Sequence, residues 1–332
     1  MAKISPSNNV LMKIALLISL ILLISILITT DFLQLITIVR RIKLGFFLLA
    51  LVTLFGELLL KALRLQILVA PQTKSSLNDS LIVSLVGLPL GLVTPARFGD
   101  LIKTDALSKK MSLPLTKSLG IAVTEKILDF FTLCLLAILG ITILTLKGKT
   151  EKIFLYSLFF VIAAAILLLI FLNKKLIDKL LKIFGERVIP VKFKDLFNKT
   201  KGGLAEFYSE ISTICEKKYF FLSATTLAFV LWFNRILRVF LVSLSFGLKI
   251  NFFYLLLVIP LIDIIEIMPI SLMGLGTREY AYIFLLSLVG ISQEESLALS
   301  LFTFLLVVIP FSLAGYLTTI KEYGRRTSNT RE

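Results

Sequence analysis

The sequence predicts an all-α polytopic membrane protein of about six full spans plus two broken or re-entrant helical hairpins, whose paired occurrence suggests an inverted repeat. Three observations predict it. Hydrophobic residues make up 57% of the 332 positions against 17% charged, with a mean hydropathy of +0.95, well above what a soluble globular surface carries. Apolar stretches long enough to cross a hydrocarbon core of about 30 Å, which takes about 20 residues of helix, recur along the chain. Lys and Arg lie largely between those stretches, as expected where basic residues mark the cytoplasmic face and meet anionic lipid.

Residues 11–29 form the first apolar stretch, flanked by Lys3 and Lys13. It is long for a signal peptide and no small-x-small cleavage site follows, so it reads as an uncleaved first helix. A second span covers 45–60. Residues 81–94 are too few to cross, about 21 Å of helix at 1.5 Å per residue, and they stop at Pro95. Spans follow at 118–146 and 153–172. The one long hydrophilic stretch, 173–218, has 11 Lys or Arg against 6 Asp or Glu. Within it Leu176, Ile177, Leu180, Leu181 and Phe184 recur at helical spacing, with Lys175, Lys179 and Lys182 between them, which predicts a helix lying on the inner leaflet. A span at 219–248 comes next. Residues 252–290 contain Pro260, Asp263, Glu266 and a Gly-rich break, so neither apolar half spans comfortably. The last span is 296–320, and the tail "KEYGRRTSNTRE" ends about a dozen residues later.

The whole chain therefore reads as one transmembrane domain, 1–332, with the connector 173–218 between its halves. Both termini are expected in the cytoplasm of a multi-pass protein of the cell membrane. Two spans return the chain to the cytoplasm at Lys61 and Arg64, and the broken regions then enter from opposite faces. Arg40, Arg41 and Lys43 fall on the outer side, against the bias; an extended first helix or an interfacial segment at 31–43 would accommodate them.

The net charge of +15 could suggest nucleic acid, but the distribution of the basic residues among inter-helix segments favours lipid, and no nucleic-acid partner is expected. Cys134 and Cys215 have no CxxC or paired spacing. With no histidine either, neither metal site, cofactor nor Ser-His-Asp chemistry is expected, and no residue is assigned a catalytic role.

A charged side chain at the centre of a membrane helix costs about 2.5–3.5 kcal/mol on insertion scales, so unpaired ones should be rare. Here they cluster. Glu57 interrupts the second span; "VTEKILDF" carries Glu125, Lys126 and Asp129, with Glu125 and Asp129 four apart on one face; "WFNRILRVF" carries Arg235 and Arg238; "IDIIEIM" carries Asp263 and Glu266. The two breaks read "TPARFGDLIK", 94–103, and "PISLMGLGTREY", 269–280. Each has proline, then glycine, near an arginine and an acid: Pro95, Arg97, Gly99 and Asp100 in one, Pro269, Gly274, Gly276, Arg278 and Glu279 in the other. Taken singly, a proline or glycine kinks a membrane helix and a lone arginine snorkels to headgroups. Two interrupted segments in corresponding positions of two halves instead point to an inverted-repeat transporter with a site near the midplane. Arginines paired with acids keep spare donors for a phosphate, and broken helices offer free N–H groups to an anion.

"LRLQIL" at 63–68, "TPARFGDLIK", "TEKILD" and "PISLMGLGTREY" followed by "LVGIS" resemble the successive motifs of the lysylphosphatidylglycerol synthase transmembrane region, also called the flippase-like integral membrane family. The resemblance covers about residues 10–320. This chain has Asp100 where the family often has Glu, and Lys103 and Lys126 where Arg is usual, keeping the charge but losing a bidentate fork. The resemblance implies movement between leaflets of lipids with large polar headgroups. The synthase domain of the two-part members has no room after the last span, so no lysine transfer is expected.

The function expected is lipid transport, with a phospholipid, glycolipid or polyprenyl-phosphate sugar engaging Arg97, Asp100, Lys103, Arg278 and Glu279 at the breaks and Arg235 and Arg238 on one face of the span at 219–248. No Walker A sequence is present, so nucleotide hydrolysis by this chain is not expected to drive it. Glu57, Glu125, Lys126, Asp129, Asp263 and Glu266 are candidates for intramembrane charge or proton coupling. Two other readings stand beside it. One is an intramembrane transferase on a lipid-linked substrate with Asp100, Glu125 or Asp129 as base or metal ligand, although outer loops such as "KGKTEK" are very short for one. The other is a scaffold for a lipid-modifying enzyme, docked through 173–218.

Overall fold

A computed structural model describes residues 6–93, 99–146, 217–267, 271 and 274–329. The predicted span at 153–172 and the connector 173–218 with its interfacial helix lie outside them, apart from Lys217 and Lys218. The described residues form ten helices and no strand: α1 Pro6–Thr29, α2 Phe32–Arg40, α3 Leu44–Val69, α4 Leu77–Val93, α5 Gly99–Met111, α6 Leu115–Leu146, α7 Lys218–Ser245, α8 Phe252–Ile267, α9 Thr277–Ser287 and α10 Gln293–Asn329. Four of them, α3, α6, α7 and α10, are long and apolar enough to cross a membrane. Helices α1 and α2 would count as one further span but for an 85° bend between them. The bend is capped: the Asp31 carboxylate accepts from the N–H groups of Leu33 (2.9 Å) and Gln34 (3.1 Å), so α2 starts afresh. Arg40, Arg41 and Lys43 thus stand at the end of a separate short helix, Phe32–Arg40, and not on a longer first helix.

Helices α3 and α7 form the central seam and run antiparallel. At one end the Lys43 N–H donates to the Ser245 carbonyl (2.8 Å); midway, Asn234 Nδ2 donates to the Thr53 carbonyl (3.0 Å); towards the other end Leu65 and Leu68 share an apolar cluster with Ala224 and Ala228. On each side the same order follows, a long helix, two short ones and a long one. The helix starts repeat at a spacing of 174 to 178 residues, pairing Leu44 with Lys218, Leu77 with Phe252, Gly99 with Thr277 and Leu115 with Gln293. Packing follows the same exchange, since α8 lies on α6 as α4 lies on α10. Because α3 and α7 are antiparallel, α4 leaves the seam at one end of the bundle and α8 at the other, which is the geometry of an inverted repeat.

The core is continuous from α3 through α6 and α7 to α8 and α10, built around Leu54, Leu136, Ile236, Leu255 and Leu299. Large apolar side chains left exposed, among them Leu44, Leu48, Leu49, Val52 and Phe55 on α3 and Ile309, Leu313 and Tyr316 on α10, are what a lipid-facing surface requires. Helix α8 sinks against α6 at Gly140, where an added Cβ would stand 2.6 Å from the Leu257 backbone nitrogen. Small residues allow such close approach between membrane helices, whose association rests on packing rather than on exclusion from water.

Gly140→Ala should therefore lower stability by about 1–3 kcal/mol, read as an earlier thermal transition of the detergent-solubilised protein. Gly45→Ala, at a position with no atom within 4 Å of the added carbon, should leave the transition in place.

Candidate functional site

Glu57, Asp129 and Trp232 stand near the midpoints of α3, α6 and α7, and the charged side chains gather around them. Three groups form, the first and third each built on one arginine with its acids and the second on two. In the first, Arg64 is 3% exposed and lies between two carboxylates of α6: Nη1 donates to Asp129 Oδ1 (2.5 Å) and Nη2 to Glu125 Oε1 (3.3 Å). The i, i+4 spacing of Glu125 and Asp129 is what lets one guanidinium reach both. Lys103, from α5, pairs with the other oxygen of Glu125, so the first short-helix pair is tied to the long helix that follows it. Asp129 also accepts from the Trp232 indole nitrogen (2.9 Å).

In the second group Arg235 donates through Nε to Asp263 Oδ2 (2.8 Å), pairs again with Asp263 through Nη2, and lies 3.5 Å from Glu266 Oε2. Its guanidinium sits 5.5 Å from the Trp232 ring centroid. Nearby, the fully buried Arg238 pairs with Glu57, and Glu57 takes Lys61 (2.7 Å) on its other oxygen. Trp232, Arg235 and Arg238 fall at i, i+3 and i+6 on α7. They join α6, α8 and α3, in that order.

The third group is the break itself. Gly274 and Gly276 have φ of +70° and +83°, a backbone open to glycine at little cost, and both are also crowded. A Cβ on Gly274 would meet Glu266 Cγ at 2.7 Å, and one on Gly276 would meet Leu22 Cβ of α1 at 2.5 Å. The turn ends in α9, where Glu279, fully buried, accepts the Gly276 N–H (2.7 Å) and the Arg278 Nε (3.0 Å). Arg278 also reaches Ser300 (3.2 Å) and lies 3.9 Å from the Phe304 ring centroid. Ser25 of α1 and Tyr280 share a hydrogen bond of 2.6 Å.

The sequence-based candidates are thus distributed as follows. Lys103, Glu57, Glu125, Asp129, Arg235, Arg238, Asp263, Glu266, Arg278 and Glu279 all enter these groups. Lys126 is half-buried on α6, three residues before Asp129. Gly99 and Asp100 start α5, although the Asp100 side chain is outside the described residues, as are Pro95, Arg97 and Pro269. Arg235 and Arg238, read from sequence as facing one headgroup, turn to different acids.

One reading from sequence needs correction. Lys61 and Arg64 are not the cytoplasmic end of the second span: α3 continues to Val69, and both side chains serve the buried groups. Leu63, Leu65 and Leu68 around Arg64, and the spacing of Glu57, Lys61 and Arg64 along one face, were the available signal. A long apolar context extends a span past a basic residue when a partner acid is waiting at that depth.

Several guanidinium donors are left over. Among the described residues Arg64 Nε, Arg238 Nε and Nη2, and Arg278 Nη1 are buried with no hydrogen-bond partner. An unmet N–H in a low-dielectric interior is costly, and a guanidinium N–H is by its chemistry a donor suited to an oxyanion.

A family model described as the lysylphosphatidylglycerol synthase TM region matches residues 11–315. Among curated proteins, the chain is similar to a UPF0104 membrane protein of Methanocaldococcus jannaschii, 24% identical over 228 residues that cover 69% of this chain and 88% of that one. It is also similar to a UPF0104 membrane protein of Methanothermobacter thermautotrophicus, 23% identical over 227 residues, 64% of this chain and 66% of that one.

Removing Arg64 leaves two buried carboxylates facing each other across one turn. Arg64→Met should cost about 3–5 kcal/mol in denaturation of the detergent-solubilised chain. Adding Asp129→Asn, which keeps an acceptor for Trp232, should recover part of that loss.

Proposed function

The chain belongs to the lysylphosphatidylglycerol synthase transmembrane-region family, and from that premise we propose that it moves a lipid with an anionic or large polar headgroup between leaflets. The observation that carries the reading is the burial of arginines from both repeats inside the helix bundle, with guanidinium N–H groups unspent. A headgroup crossing the hydrocarbon core must exchange its water for fixed donors, and an inverted repeat offers the same exchange from either side. Arg278 supplies such a donor at the break, held in place by Glu279 and flanked by the phenyl face of Phe304. Arg97 is its proposed counterpart at the first break. The acyl or isoprenoid tails stay in the bilayer against the exposed apolar faces.

The charge at the two ends supports an orientation. Among the described residues, one end carries Lys74, Lys109, Lys110, Lys117, Lys217, Lys218 and Lys321 with Asp79 and Asp105; the other carries Arg40, Arg41, Lys43 and Lys249 with Asp31, Glu294 and Glu295. The positive-inside rule assigns the first end to the cytoplasm, which puts the start of α1 and the end of α10 there, in a cell membrane.

The test is translocation of headgroup-labelled lipid in proteoliposomes. Arg278→Ala and Arg97→Ala should each slow it at least about tenfold, the order expected for losing one charge-assisted contact. Wild-type rates in both variants would end the proposal.

A further inference from the structure

Helix α2 and its junction with α3 carry charges that the buried groups do not use. The helix has two faces. Leu35, Ile38 and Ile42 turn inward and pack on the core, while Phe32, Leu33 and Ile36 are 51%, 77% and 46% exposed. Arg40, Arg41 and Lys43 are exposed at its carboxyl end, and among the described residues none of the three forms an ion pair. The nearby acid of the helix, Asp31, caps the opposite end, and Glu294 beside it accepts the Asp31 N–H (3.4 Å). Directly after the cations, α3 begins with exposed Leu44, Phe46, Leu48 and Leu49.

We propose that this elbow is a binding site for the headgroup of an anionic phospholipid in the leaflet opposite the basic end of the bundle, with α2 lying in the membrane interface. Four observations support that occupant. The 85° bend turns α2 away from the direction of a spanning α1. Its outward side chains are apolar at the amino end, where they enter the acyl boundary, and cationic at the end where the chain turns back into a span. Among the described residues the three cations have no ion-pair partner that an anion would have to displace. They also stand on the end that the positive-inside rule would leave poor in basic residues, where a cation cluster is expected to have a role. The exposed stripe on α3 gives the tails a surface continuous with the headgroup site. The site is separate from the buried arginines and stands whether or not the chain moves lipid.

The experiment uses the full chain in mild non-ionic detergent, with bound lipid read by native mass spectrometry during titration with phosphatidylglycerol or phosphatidylcholine. The wild type should prefer phosphatidylglycerol, and the triple substitution Arg40→Gln, Arg41→Gln and Lys43→Gln should weaken that preference by about tenfold, with an unchanged thermal transition. In liposomes, Leu33→Trp should be quenched by lipid brominated near the headgroup, above the signal of the single natural tryptophan, Trp232. Equal affinity for the two lipids, a preference that survives the triple substitution, competition by inorganic phosphate as effective as by phosphatidylglycerol, or an unquenched Leu33→Trp would each overturn the proposal. Lys74→Gln, which removes an exposed cation at the other end of the bundle, should leave the preference intact.

Discussion

A guanidinium in a hydrocarbon-depth interior must find a carboxylate, and the arrangement of this bundle follows from that requirement. Arg64 is the clearest case. It lies nearly inaccessible between Glu125 and Asp129, so α3 and α6 are held in one register by charge rather than by apolar packing alone. Desolvating three ions at once is favourable only when each is met at close range, and a shift of one helical turn would break the match. The same logic carries into α7, where Arg235 takes Asp263 and Arg238 takes Glu57.

Trp232 joins these groups. Its indole nitrogen donates to Asp129 and its ring lies under Arg235, so a continuous path runs from Lys103 on α5, through Glu125, Arg64, Asp129 and Trp232, to Arg235 and Asp263 on α8. The path connects one short-helix pair to the other across the antiparallel seam. A polar chain of this kind is specified only if its members are satisfied together, which makes it sensitive to the position of both broken pairs. At the second break, the two positive-φ glycines set the turn that aims Glu279 back at the Gly276 N–H and leaves Arg278 against Phe304.

The inverted repeat has no visible sequence duplication. Arg97 and Asp100 in one break do not align with Gly274, Arg278 and Glu279 in the other, and the acids Glu125 and Asp129 of α6 have Thr303 and Val307 near the corresponding level of α10. What repeats is the order of long and short helices and the way they pack. The two halves share an architecture and differ in which helix brings the acid, so the central site is asymmetric in chemistry although paired in shape.

The sequence by itself determined the class and most of the elements. Apolar length against bilayer thickness is a local property, so five of the six predicted spans coincide with described helices, and the interrupted regions at 81–94 and 252–290 are indeed short helices. It also singled out nearly every buried charge, because an ion inside an apolar run is conspicuous in one dimension. Tertiary structure decided the partners. Arg64 looked like the basic end of a span until α6 brought Glu125 and Asp129 to it, and Arg235 and Arg238 looked like one patch until α8 and α3 drew them apart. Pairing energies depend on distances between residues far apart in the chain, 65 positions for Arg64 and Asp129 and 181 for Arg238 and Glu57, and no local pattern encodes those distances.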